Sequence, residues 1–458
     1  MTRSITVPQP PTGTSQALVL LFFIGIYSGV AFKLPGGIPV PAVVAGVAGG
    51  LLLAVESSRI KERHLFAIIA VLMLYALSIL SASDIRLLGE RFKGLVQLTY
   101  SLMAGYALFL ALTRFHRAQL ATVMLGFSVA ILIGCALENS GVFRDASDSF
   151  RAWAFDSGVY KADLRDQEFY GRIRPKLFTS EPSAVAFMFS LFAFAWYALS
   201  DMKLKLIGFL TLIAAGYFVM RGPTLLLCLA LVPVNELLLG ARQGPAGNSH
   251  LSIGRVATTV VLTVVLIGIA VPVVHTLYAT RLEAITSGQD PSFFSRIIAP
   301  PLVAFEVISA YPAAGAGLTG WEFIEDATRQ VYGTASWLST DYRFDTAAQA
   351  ITNYFWLHWI YLGLFWGGIL LVALSLMLQS LGVPSILFCW IVWALFGQGS
   401  GSYVGPQAWT VLFLSAAIAV VVERDRLLRY GRPPATMRER TDAPGMPMPS
   451  PAATRGVL

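Results

Sequence analysis

Twelve times along its 458 residues this chain stays apolar for close to the roughly 20 residues that a helix needs to cross a bilayer. That recurrence limits the folds open to it. The runs lie at Gln16 to Phe32, Ile38 to Val55, His64 to Leu80, Leu95 to Leu112, Leu120 to Leu137, Ser183 to Leu199, Leu204 to Met220, Pro223 to Leu239, Val256 to Tyr278, Tyr354 to Leu378, Val383 to Phe396 and Gln407 to Val422. Only 13% of residues are charged and 56% are hydrophobic, whereas a soluble domain carries roughly 25% charged residues. A soluble core cannot hide so much apolar surface, and the surplus needs lipid. The expected fold class is therefore an all-α polytopic membrane protein with a transmembrane helix for each run. The run at Val383 to Phe396 is short, and Gly397 to Gly401 either extends or breaks it.

Two long polar interruptions, about 139–180 and about 279–352, divide the runs. Residues 1–15 read as a short cytoplasmic lead, 16–422 as one transmembrane domain and 423–458 as a basic, disordered cytoplasmic tail. Orientation follows from Lys and Arg in the short connections, because long loops translocate largely regardless of charge. With the N-terminus inside, the inner connections hold Arg59, Lys61, Arg63, Arg114, Arg117, Lys203, Lys205, Arg242 and Arg255. The short outer ones hold only Arg86, Arg91, Lys93 and Arg221. Both long loops then face the extracytoplasmic side. The net charge of +7 does not read as a nucleic-acid signal, because Arg424, Arg426, Arg429, Arg432, Arg438, Arg440 and Arg455 all follow the last run, where they suit an anionic membrane surface. Cys135, Cys228 and Cys389 each fall inside an apolar run, so neither a disulfide framework nor a metal cluster is expected.

Chemistry is expected in the outer loops. The first holds Arg144, Arg151, Lys161, Arg165, Arg172, Arg174 and Lys176, and the second Arg281, Arg296, Arg329 and Arg343. Guanidinium groups donate paired hydrogen bonds to phosphate oxygens and carboxylates, although a solvated surface ion pair is the commoner role for any one of them. Arg221 stands apart, in the tight turn MRGPT between a helix ending at Met220 and another beginning at Pro223. Held at the membrane boundary beside a helix N-terminus, it suits a lipid phosphate or pyrophosphate, and it would serve equally as an interfacial anchor. In LFTSEPSAVAF, Ser180 is placed to cap a helix with Pro182 in its first turn. The dipole of that helix keeps Glu181 ionised, as a base for a sugar hydroxyl must be. Trp153, Trp321 and Trp337 are candidates to stack on sugar rings, against an interfacial role that tryptophan commonly fills. The stretch Arg296 to Tyr311, interrupted by Pro300 and Pro301, reads as a broken amphipathic helix along the surface. Gly315 and Gly317 read as a tight turn and not as a phosphate cradle.

Several of these residues together resemble a known family. A long outer loop carries D-x-S-x-x-x-R at Asp290, Ser292 and Arg296 and then P-x-x-G-x-G at Pro312, Gly315 and Gly317. N-Y-F follows at Asn353, with Gly363 and Gly367 beyond it. With E-P-S at Glu181 to Ser183 and M-R-G at a tight outer turn, the set is similar to the O-antigen polymerase and ligase superfamily, and to its Wzy-type polysaccharide polymerases in particular. The likeness spans about Arg174 to Gly368.

The resemblance implies a glycosyltransferase of the bacterial inner membrane, with both termini cytoplasmic, that joins oligosaccharide repeat units carried on undecaprenyl pyrophosphate. It implies no cofactor, no nucleotide sugar and no metal, and as partners the lipid-linked substrate, membrane lipid, a chain-length regulator and a flippase. Arg221, Arg296 and Arg281 become candidates for the pyrophosphate, and Glu181 or Asp290 for the base. Asn353, Gly315, Gly317 and Trp321 become glycan-contacting or loop-shaping. Ligases acting on lipid A core are expected to carry a histidine just before the asparagine; here Ala350, Ile351 and Thr352 stand there, and His358 comes later. That favours a polymerase over a ligase. A transporter or flippase is the rival from another class, but ionisable groups are nearly absent from the runs.

Overall fold

The computed structural model describes residues 10–33, 39–155, 163–222, 224–240, 279–335, 337, 347–399 and 401–430, with isolated positions between 254 and 268. Among these residues the regular structure is helical apart from a two-residue antiparallel pairing of Phe32–Lys33 with Pro39–Val40. Seven helices among the described residues are long and apolar enough to cross a membrane: Glu62–Ser81, Ile85–Leu112, Arg117–Asn139, Pro182–Leu199, Pro291–Ala310, Tyr354–Ser380 and Pro406–Arg429. Gly13–Ser28, Val43–Val55, Lys205–Met220, Thr224–Leu238 and Ile386–Gly397 are shorter apolar helices. Each expected run coincides with one of these except Val256 to Tyr278, most of which lies outside the described residues. Residues 1–9 and 431–458 also lie outside them, and the last helix continues to Tyr430, past the expected boundary at 422.

The helices are inverted relative to those of a water-soluble protein. Glu62–Ser81 turns Phe66, Ile69, Met73, Leu77 and Leu80 outward, at the three- and four-residue spacing of one helical face. Its buried face carries His64, Tyr75 and Ser78 beside Ile68, Val71 and Ile79. An apolar stripe that size on the outside is stable only against hydrocarbon. Helices suit that setting because they satisfy their own backbone. This is a membrane α-helical protein. Pro182–Leu199 is the central element, 94% buried, and it packs on Arg117–Asn139, Lys205–Met220 and the last helix.

Arg59, Arg114, Arg117 and Arg429, all expected on the inner side, are held in two ion-pair clusters. Glu56, fully buried, accepts from Ser15 Oγ at 2.6 Å and pairs with Arg114 at 3.2 Å and Arg59 at 3.7 Å. Arg117 bridges Asp201 and Asp425, and Arg429 joins both. Asp201 follows the central helix and Glu181 precedes it. The 18-residue helix between them rises about 27 Å, close to the thickness of a hydrocarbon core.

One long helix is broken. Within Tyr354–Ser380, Gly363 takes φ 63°, ψ −168°, which interrupts the hydrogen-bond ladder. The segment 312–317 docks into the gap: Leu364 N donates to Pro312 O at 2.8 Å, Trp366 N to Ala313 O at 3.3 Å, and Ala316 N to Ile360 O at 2.8 Å. The loop is buried from Ala314 to Gly320, where its backbone groups need partners within the protein. Arg91, 1% exposed, grips the loop from the other side, donating to Ala316 O at 2.9 Å and to the carbonyls of Asp84 and Ser83.

Arg296 to Tyr311, expected along the surface, falls largely within the helix Pro291–Ala310, whose length and hydropathy equal those of a crossing helix. Its start lies against the end of the next helix. Phe294 meets the rings of Tyr332 and Trp337 at 5.3 and 5.8 Å, and Tyr332 OH donates to Ala350 O at 2.9 Å. The excursion through Pro291–Ala310 and Trp321–Gly333 therefore returns to its start. Single cysteines at exposed Gln289 and Thr334, in a chain with its three native cysteines replaced, are both expected to react with an impermeant maleimide added outside. Reaction of only one would show that the hairpin crosses, and reaction of neither would reverse the orientation.

Candidate functional site

Pro182 opens the central helix at its first turn, where its missing N–H costs nothing. The N-cap is Glu181, not Ser180, and its side chain makes no capping bond. The carboxylate instead accepts from Ser183 Oγ and faces Arg296 Nη2, 3.8 Å from Oε1. Both side chains remain partly open, at 37% and 24% exposure. At that separation they form an ion pair without a direct hydrogen bond, so both retain capacity for a ligand. This contact joins the two polar interruptions.

Arg296 sits in a π-helical turn, Phe294–Ile298. Single π-turns inside α-helices often mark functional sites. Asp290 starts the helix as its N-cap, accepting from Phe293 N at 2.6 Å. At 4% exposure Asp290 is mainly an architectural group, and the accessible carboxylate of the two candidates is Glu181. Asn353 is buried and caps Tyr354–Ser380 through Trp356 N at 3.2 Å. Its Nδ2 donates to Arg296 O and to Gln398 Oε1, both at 3.0 Å. Asn353 thus shapes the loop.

Arg221 ends Lys205–Met220 in the left-handed region, φ 48°, ψ 37°, its N–H returning to Tyr217 O at 2.9 Å. A side-chain-bearing residue there costs roughly 1–3 kcal/mol, offset by what the turn achieves. Gly222 next to it presses onto the central helix, since a Cβ would lie 2.7 Å from Ala186 Cβ. Ala186 is five residues past Glu181, about 7.5 Å along the axis. The Arg221 turn therefore lies beside the first turns of the central helix, while Arg221 Nη1 itself donates to Tyr170 O. Arg172 crosses the other way, donating to the carbonyls of Phe218 and Val219 at the end of Lys205–Met220. Burial, and then the charge of Arg221, push the Arg172 pKa below its ordinary value. Two cations thus stand side by side at this boundary.

Arg151 and Arg174 of the first loop are internal struts, not solvated ion pairs. Arg151 is buried, donates to Thr179 O at 2.9 Å and Ser180 O at 3.2 Å, and pairs with Asp148 at 2.8 Å. Arg174 meets buried Asp166 at 2.9 Å and lies 4.2 Å from the Tyr170 ring centroid. Glu138 accepts from Lys176 N at 3.0 Å and Leu177 N at 2.5 Å. These groups set the path of residues 174–181 and so the position of Glu181. Neither Glu138 nor Gln398 stood out in the sequence; an acid ending an apolar run at Glu138 was the available signal.

The remaining candidates are placed as follows. Gly315 and Gly317 allow close approach: a Cβ would fall 2.3 Å from Ile360 O at the first and 2.3 Å from Arg91 Nε at the second. Trp321 packs on Tyr361 at 5.3 Å, and Trp153 is 75% exposed. Arg281 lies in the helix Ala279–Thr286, its side chain outside the described residues. His358 is a core residue, 1% exposed, with Nδ1 2.9 Å from Tyr403 OH and Nε2 3.2 Å from Gly367 O.

An open apolar groove of about 380 Å³ runs from Phe355 and Trp393 to Ser375 and Gln379 between Tyr354–Ser380 and Ile386–Gly397. Its Phe355 end adjoins Asn353. In comparison with known proteins, the chain matches no family model, no curated protein and no solved structure.

Proposed function

We propose that this chain is a multi-pass enzyme of the O-antigen polymerase and ligase superfamily. On this reading it extends a polysaccharide on the outer face of the inner membrane, using repeat units carried on a polyprenyl pyrophosphate. The observation that carries the reading is the Glu181 and Arg296 pair, an accessible base and cation brought together from two loops at one end of the bundle. Arg221 and Arg172 stand side by side, with the Arg221 turn against the first turns of the helix that Glu181 caps, and an apolar groove suited to a hydrocarbon chain opens nearby.

In the proposed reaction an acceptor sugar hydroxyl attacks the anomeric carbon of the donor. The bond from that carbon to the pyrophosphate oxygen breaks, the lipid pyrophosphate leaves with the electron pair, and the hydroxyl proton passes to Glu181. The leaving group gains charge as it departs, so fixed guanidinium groups lower the barrier more than they stabilise the bound substrate. On this reading Arg296 and Arg221 supply that field, on the outer side that the charge asymmetry of the short connections assigns to both polar loops.

Purified protein incubated with lipid-linked repeat units is expected to yield a ladder of lengthened lipid-linked products. Transfer to lipid A core without a ladder would make the chain a ligase. If neither product forms, the enzymatic reading fails and transport becomes the reading to pursue.

A further inference from the structure

The sequence around Arg296 creates a backbone defect that another part of the chain repairs. A helical carbonyl at 296 receives its hydrogen bond from the N–H four residues on, or five on in a π-turn. Those positions are Pro300 and Pro301, and neither has an N–H. Arg296 O is thus orphaned by composition, inside a protein where a buried unpaired carbonyl is costly. The donor that reaches it is Asn353 Nδ2, at 3.0 Å.

Asn353 is fully committed. Its two amide hydrogens go to Arg296 O and Gln398 Oε1, and its Oδ1 accepts from Trp356 N. Gln398 is itself oriented, donating to Ala394 O at 3.3 Å. The turn that carries Arg296, the start of Tyr354–Ser380 and the end of Ile386–Gly397 are joined through one side-chain amide.

We propose that Asn353 and Gln398 are positioning residues, which use the carbonyl orphaned by Pro300 and Pro301 to hold the Arg296 turn so that its guanidinium faces Glu181. The inference rests on the proposed function for its catalytic consequence, but not for its geometry. The clamp acts at the backbone and takes up none of the guanidinium's donors. Displacement of a catalytic group by about 1 Å can cost on the order of 100-fold in rate. Loss of one clamp bond is therefore expected to cost about tenfold.

Two measurements on Gln398→Met and Asn353→Ala test this. Hydrogen exchange across 292–299 is expected to quicken in both variants, and unchanged exchange would overturn the clamp. In the elongation assay Gln398→Met is expected to lower kcat about tenfold, with KM for the lipid-linked donor within about twofold and the melting midpoint unchanged. A fall in melting midpoint matching the loss of activity would mean a merely structural role and overturn the positioning assignment. Asn353→Ala combined with Pro300→Ala restores an N–H near Arg296 O, and is expected to recover thermal stability without recovering rate; recovery of both would also overturn it. Arg296→Ala runs alongside as the control. If that variant elongates normally, the proposed function is at fault, and the exchange data still judge the clamp.

Discussion

Arg296→Ala is expected to reduce chain elongation by at least about 100-fold while the protein still inserts and purifies normally. The magnitude follows from the loss of one fixed donor to developing charge, which in other enzymes costs on the order of 100- to 1,000-fold. Stability is expected to change little, because the partner is a partly exposed carboxylate 3.8 Å away and such pairs contribute at most about 1 kcal/mol. Glu181→Gln removes the proton acceptor but keeps the shape, and a loss of similar size is expected. Arg296→Lys keeps the charge and loses the planar fork, so an intermediate rate is expected. The measurement is product length and rate with lipid-linked repeat units. Products of normal length from Arg296→Ala or Glu181→Gln would remove that residue from the chemistry.

Gly363→Ala is expected to be the most damaging small substitution for folding. At φ 63°, ψ −168° the backbone occupies a region that is essentially reserved for glycine, and the strain alone costs roughly 1–3 kcal/mol. A Cβ would also lie 2.7 Å from Pro312 O and 2.8 Å from Gly315 N, both backbone atoms with no room to yield. The docked 312–317 segment would have to leave, exposing the carbonyls and N–H groups it now satisfies and withdrawing the partner of buried Arg91. Gly368→Ala on the same helix is the control, since a Cβ there meets nothing within 4 Å. It is expected to be neutral or to stabilise by up to about 1 kcal/mol. Size-exclusion profiles and melting in detergent compare the two, and equal behaviour would mean that the break at Gly363 is not required.

Much of the architecture was legible in advance because hydropathy acts over single segments. A run such as Ser183 to Leu199 declares a spanning helix by length, and the helix is found at Pro182–Leu199. Pro182 and the turn at Met220 to Gly222 were also readable, since both rest on local backbone rules. Pairing between distant segments was not. Arg151 and Arg174 look like solvated loop charges until the fold buries them against Thr179 O and Asp166. Pro300 and Pro301 announce an orphaned carbonyl, but nothing local says that Asn353 supplies the donor. Pro291–Ala310 carries the hydropathy of a crossing helix, and only the contact of Phe294 with Tyr332 shows that the chain turns back.

Sequence alone determined that this is a helical membrane protein, where most of its helices begin and end, and which polar stretches hold its accessible charges. These properties follow from the free energy of moving short segments between water and lipid, which each segment carries by itself. Tertiary structure decided that Glu181 faces Arg296, that Gly363 opens a helix to receive 312–317, and that Asn353 ties three segments together. Those outcomes depend on hydrogen bonds and close packing between groups far apart in the chain, and such partners are selected only when the helices assemble.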